Sequence, residues 1–239
     1  MSFNRKILVK KYLPLTIFAL AMGFLEAIVV VYVRELYYPE GFEFPLKPLP
    51  EWLIKVEIVR EICTLLMLGT MAWLSGKNFL QRLAVFLFIF GIWDIFYYIG
   101  LKVFLNWPES FFTWDILFLI PITWIGPVLA PVICSAIMIG AAILFEWILF
   151  LQKNERLKRY ELLLLFIGAG FILYTFIIDF GYIIIHGNFL KKLFILPNDQ
   201  DFNAILATFI PDKYHWGLFF TGIIIILISI TIFIRRSFK

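Results

Sequence analysis

The chain has 239 residues, of which 62% are hydrophobic and only 16% charged, and its mean hydropathy is +0.93. A soluble domain runs at about 45–50% apolar and about 25% charged, so this composition excludes one and points to the bilayer as solvent. The net charge of +4 comes from bases in short loops and near the termini, which is the pattern of membrane orientation and not of nucleic-acid binding.

A span needs about 20 mostly apolar residues, and 12–33 is the first. Arg5, Lys6, Lys10 and Lys11 precede it, and Ala19-Leu20-Ala21 imitates a cleavage site. The apolar run continues past that site to Val33, which predicts an uncleaved helix. A connection rich in proline (Pro39, Pro45, Pro48 and Pro50) leads to spans over 52–75 and 79–104. The stretch from Asp115 to Leu151 is too long for one straight span and carries Pro121, Pro127 and Pro131. Proline breaks helices, so the reading is a half-helix or re-entrant piece over 115–124, then a span over 127–151. A fifth span covers 162–185. A short amphipathic helix starts at Asp201 as N-cap and ends before Pro211. The last span covers 216–234.

The expected fold is therefore an all-α, single-domain polytopic bundle of six spans with a Pro-broken half-helix. Lys77, Arg82, Lys153, Arg156, Lys158, Arg159, Arg235, Arg236 and Lys239 fall on the side of the N-terminal bases. The positive-inside rule then places both termini in the cytoplasm of a cell with an inner (plasma) membrane. Trp52, Trp107, Trp114 and Trp216 fit an outer aromatic belt.

Five acids, Glu26, Glu57, Glu61, Asp94 and Asp179, fall inside these spans, with only Arg60 as a base at similar depth. At about 1.5 Å per residue all five lie roughly 8–15 Å below the outer boundary. Ionisable groups are expensive in hydrocarbon and mark functional sites. Five acids and one base require protons or a cation for balance. Glu57, Arg60, Glu61 and Thr64 share a helix face, as do Thr175, Asp179, Tyr182 and His186, and each stripe is expected to point into the bundle. Gly91, Asp94, Tyr97 and Tyr98 form another stripe. Structural glue between helices is the competing reading for any one of these residues. Arg34 and Lys102 sit at span ends, where long side chains reach water, and Asp115 reads as a helix N-cap. His186 and His215 read as interfacial histidines.

No phosphate loop, zinc H-E-x-x-H helix or Glu-x-x-His repeat is present, so no cofactor is assigned. Cys63 and Cys134 suggest neither a disulfide nor a metal site. The segment Gly91-Ile-Trp-Asp-Ile-Phe-Tyr-Tyr, with Trp107-Pro, Trp114-Asp and the stretch from Ile120-Pro to Gly126-Pro127, resembles a group of bacterial polytopic membrane proteins. Together with Glu26 and the Glu57–Glu61 segment the resemblance covers the N-terminal two thirds. It implies a multi-pass membrane protein and transfers no activity.

Three functions compete. One is a membrane enzyme acting on a lipid-soluble substrate, with Glu57, Glu61 and Asp94 as acid or base and Arg60 holding one of them ionised. Trp93, Tyr97, Tyr98 and Trp124 would form its aromatic wall. The second is a proton- or cation-coupled transporter. The third is a non-catalytic subunit or assembly factor of a membrane complex. The lipid bilayer is the partner common to all three, with a lipid-soluble ligand or a cation at the site.

Overall fold

The computed structural model describes residues 5–151, 155–192 and 199–238. Lys153 and Lys239, used above for orientation, lie outside the described residues. Helices α1 (Arg5–Tyr37), α2 (Glu51–Ser75) and α3 (Phe79–Leu105) come first. A two-stranded hairpin follows, β1 (Trp114–Phe118) and β2 (Trp124–Pro127), then α4 (Leu129–Leu151) and α5 (Arg159–His186). A 3-10 turn at Phe189–Lys192, the short helix α6 (Gln200–Leu206) and α7 (Trp216–Ser237) complete the order. Six of these helices are long and apolar enough to cross a membrane. α1 starts and α7 ends at the same end of the bundle, where Lys11 meets Glu146 and Phe233 meets Phe145 on α4. The hairpin occupies the opposite end.

Helix ends follow local chemistry. The Asn78 side chain accepts from the Gln81 N–H at 2.9 Å and starts α3, and Asn106 in the left-handed region (φ 52°) ends it. The short helix α6 is capped by Asp199, which accepts from the Phe202 N–H at 3.1 Å. Asp201 lies in its first turn, so the helix starts earlier than the sequence suggested.

The segment expected as a half-helix is the hairpin. Trp114, Ile116 and Phe118 alternate along β1, and aromatic and β-branched residues favour strands. Pro121 lies in the turn and Pro127 at the end of β2, where a missing N–H removes little from the ladder. Asp115 pairs with Gly126 and Ile116 with Ile125, and the register shifts between Ile116 and Phe118. Val128 N–H to Thr113 carbonyl (3.0 Å) and Leu129 N–H to Phe111 carbonyl (2.7 Å) prolong the pairing into the start of α4. Asp115 and the run from Ile125 to Val128 are buried, so protein covers the paired part of the hairpin, while Pro121 in the turn is exposed.

α3 is the central helix and packs on α1, α2 and α4, while α5 and α7 form a second tight pair joined to the hairpin through β2. Leu80, Ala84, Phe145, Ile148 and Phe233 form a core where α3, α4 and α7 meet. Gly168 and Gly222 set the α5–α7 distance, since a Cβ on either would lie 2.6 Å from the other's carbonyl oxygen. Gly222→Ala is expected to lower stability by about 1–3 kcal/mol. Gly170→Ala, with open space around it, is expected to lose nothing. Thermal unfolding in detergent separates the two, and equal midpoints would mean the pair tolerates a wider spacing.

Candidate functional site: an acid-lined cavity beneath the hairpin

One cavity of about 140 Å³ lies between α1, α2, α3 and β1. Glu26, Glu57, Glu61, Asp94 and Asp115 line it, together with Arg34 and Arg60. Three helices and one strand thus bring five carboxyls to two guanidiniums, an excess of three acids over bases.

The pairing is uneven. Arg60 donates from Nε to Glu57 Oε2 at 2.8 Å and from Nη1 to Glu26 Oε1, tying α2 to α1. Arg34 Nη2 donates to Asp115 Oδ1 at 2.9 Å, and the Tyr98 hydroxyl donates to Asp115 Oδ2 at 3.3 Å. The Arg34 guanidinium lies 3.8 Å from the Trp107 ring centre and 4.4 Å from that of Phe42, within cation–π range of two rings set edge to face at one corner. Glu61 and Asp94 have no ion pair among the described residues. Both oxygens of Glu61 accept from the Leu119 N–H at 3.0 Å. Asp94 Oδ2 accepts from the Ser135 hydroxyl at 2.7 Å. Gly91 makes that contact feasible: a Cβ there would stand 2.8 Å from the Ser135 carbonyl, so only glycine lets α4 close so near. Burial pushes the Asp115 carboxyl up to about 6, against the opposing pull of Arg34.

The cavity is closed toward the terminal end. Leu15, Ala19, Met22, Leu68 and Ile89 form an apolar plug, one to three turns beyond Glu26, Glu61 and Asp94 along their helices, with Trp93 packed on its cavity side. Tyr38, Phe42 and Trp107 cover the hairpin end. Residual exposure is on the α1–α2 side, where the Arg60, Glu26 and Glu57 side chains keep 20%, 14% and 12%, against 1% for Asp115. α2 packs through one narrow stripe, Leu53, Glu57, Glu61, Thr64, Leu68 and Ala72. Its other faces, including Val56, Val59 and Leu66, are exposed as lipid contact requires.

Several expectations change. Glu26, Glu57, Glu61, Asp94, Arg60, Trp93, Tyr97 and Tyr98 do converge on the cavity. Asp179 does not: it sits half-buried on α5 within electrostatic reach of His215. Tyr182 and His186 lie against each other with exposed side chains, so the lower part of that stripe does not face the bundle. Thr175 on the same helix bonds the Tyr214 hydroxyl at 2.8 Å. Trp124 stacks on Phe176 away from the acids. Arg34 is buried, not solvated, and Asp115 is its partner, not a helix cap. Trp107 is buried on Arg34 and takes no part in an aromatic belt. The i, i+4, i+8 spacing of Glu26, Val30 and Arg34 on α1 was the available signal for Arg34. Asp115 carried none, because its burial comes from the strand pairing.

Two further acids in helices sit at the terminal end and each has a base. Glu146 on α4 binds Lys11, and Glu161 binds Arg236, which also holds Glu155 at 2.9 Å. These are locks between helices. Among the described residues, no three His, Cys, Asp or Glu side chains converge as a metal site would require.

Six helices long and apolar enough to cross a membrane, three of them lining a buried acidic cavity, define a multi-pass integral membrane protein. No family model, curated protein or solved structure matches the chain, so any functional reading stands on the site itself.

Proposed function

We propose that this is a bacterial plasma-membrane enzyme, with both termini cytoplasmic, that acts on a lipid-soluble substrate by acid/base chemistry. The observation that carries the reading is a dead-end cavity in which Glu61 and Asp94 alone, among five carboxyls, have only neutral hydrogen-bond donors among the described residues. Arg60 occupies Glu26 and Glu57, and Arg34 occupies Asp115. Glu61 and Asp94 are thus the groups free to exchange a proton, from different local environments, as an acid and base pair needs. Arg60 acts as a positioning residue that closes α2 on α1. The apolar plug favours this reading over transport, because an ion or proton path would have to cross it. The bases near both termini support the orientation.

The test is native mass spectrometry of the detergent-purified protein. Wild type is expected to retain a lipid-soluble molecule, and Glu61→Gln and Asp94→Asn to reduce its occupancy about tenfold, the worth of about 1.4 kcal/mol. Neither substitution is expected to lower the unfolding midpoint, since each removes a carboxyl that makes no direct ion pair among the described residues. Unchanged occupancy in both variants would sink the assignment.

A further inference from the structure

The cavity wall holds information about its occupant that the carboxyls do not. Arg34 and Trp93 both line it, and both are more than nine-tenths buried. Each keeps one donor nitrogen, Arg34 Nη1 and Trp93 Nε1, without a hydrogen-bond partner among the described residues. Guanidinium and indole nitrogens donate and cannot accept. A buried donor left unsatisfied is costly, so both call for an acceptor. Arg34 is also held in place. Its Nη2 is bound to Asp115, and the rings of Trp107 and Phe42 lie over its guanidinium. A donor fixed by such contacts is organised before a ligand arrives.

We propose, building on the reading of a lipid-soluble substrate, that its polar head is neutral and bears acceptor oxygens, as a carbonyl or ester does, and that Arg34 and Trp93 grip it. An anionic head would meet five carboxyls, two of them outside any ion pair among the described residues. A cationic head would meet two guanidiniums and leave both donors unsatisfied. A neutral acceptor avoids both conflicts and also accepts from a protonated Glu61 or Asp94, the contact that acid catalysis on a carbonyl requires. Size agrees. The cavity is about 140 Å³, and roughly 150 Å³ holds one benzene ring, so a compact head of roughly six to eight heavy atoms, the size of a glycerol ester, fits. The apolar tail then lies in the α1–α2 seam, where Arg60, Glu26 and Glu57 retain their exposure and α2 turns apolar faces outward.

The test compares three probes with the same eighteen-carbon monounsaturated chain: monoolein (neutral ester), oleylamine (cationic) and oleyl phosphate (anionic). Each is titrated into the purified full chain and followed by native mass spectrometry. Monoolein is expected to bind one per chain, at least about tenfold tighter than the other two. Trp93→Phe keeps the ring and deletes the donor, and is expected to weaken monoolein about tenfold while leaving oleylamine unchanged. Arg34→Lys keeps the charge toward Asp115 and loses the fork, with the same expected pattern; it serves if Trp93→Phe fails to fold. Equal or tighter binding of oleylamine or oleyl phosphate overturns the neutral-head assignment. So does wild-type monoolein binding in a folded Trp93→Phe or Arg34→Lys variant. If no probe binds wild type one to one, the lipid-soluble-substrate reading falls with it.

Discussion

Replacing Arg60 by leucine is expected to destabilise the protein by about 3–5 kcal/mol, because it leaves partly buried carboxyls without their counter-ion. Arg60 holds Glu57 within α2 and Glu26 across to α1. α2 is the helix with most at stake: it packs by one stripe, and that stripe contains Glu57 and Glu61. The lower end of the range is the better expectation, since a fifth of the Arg60 side chain remains exposed and exposure weakens an ion pair. Arg60→Lys is expected to recover only part of the loss, because an ammonium cannot reproduce the planar fork that reaches two carboxylates. The triple variant Glu26→Gln, Glu57→Gln, Arg60→Leu is expected to be more stable than Arg60→Leu alone. Chemical unfolding in detergent micelles, followed by tryptophan fluorescence, measures all four proteins. A loss below about 1 kcal/mol for Arg60→Leu would mean that the group behaves as a surface pair and that the cavity is wetter than its walls suggest.

Arg34→Leu is expected to have a cost that grows with pH. The folded protein holds Asp115 near 6, above its ordinary value of 3.8, chiefly through burial. A carboxyl raised by folding binds its proton more tightly in the folded state. Its contribution is therefore fully present below about pH 4 and is lost as pH rises through about 6, on the order of 3 kcal/mol in all. Arg34 opposes that loss by stabilising the ionised form. Without Arg34 the window moves upward. At pH 5 the variant is expected to lose mainly the stacking on Trp107 and Phe42, about 1–2 kcal/mol. At pH 8 it leaves Asp115 ionised and unpaired, about 3–5 kcal/mol. Adding Asp115→Asn to Arg34→Leu is expected to remove the pH-dependent part. Unfolding midpoints at pH 5 and pH 8 check this, and a pH-independent cost for Arg34→Leu would show that Asp115 is not its charge partner.

Hydropathy alone located all six membrane helices, because each apolar run is continuous and long enough to need lipid. The face shared by Glu57, Arg60 and Glu61, and the stripe of Asp94, Tyr97 and Tyr98, were equally legible, because helical periodicity is a local property. Periodicity failed for Asp179, Tyr182 and His186. It says which residues share a face and not what that face meets, and here the lower part of the stripe is exposed. The hairpin was misread because prolines announce a break in a helix without saying what replaces it. Strand pairing between 114–118 and 124–127 depends on contacts that no local pattern contains.

The sequence by itself determined the solvent of this protein, the number of its crossings and the presence of more acid than base within them. Only the tertiary structure decided how that charge is shared. Packing buried Arg34 and Asp115 against each other, gave Arg60 two carboxylates and left Glu61 and Asp94 with neutral donors. Composition and spacing count charges along the chain, whereas the energy of a buried charge depends on the few ångströms to its partner.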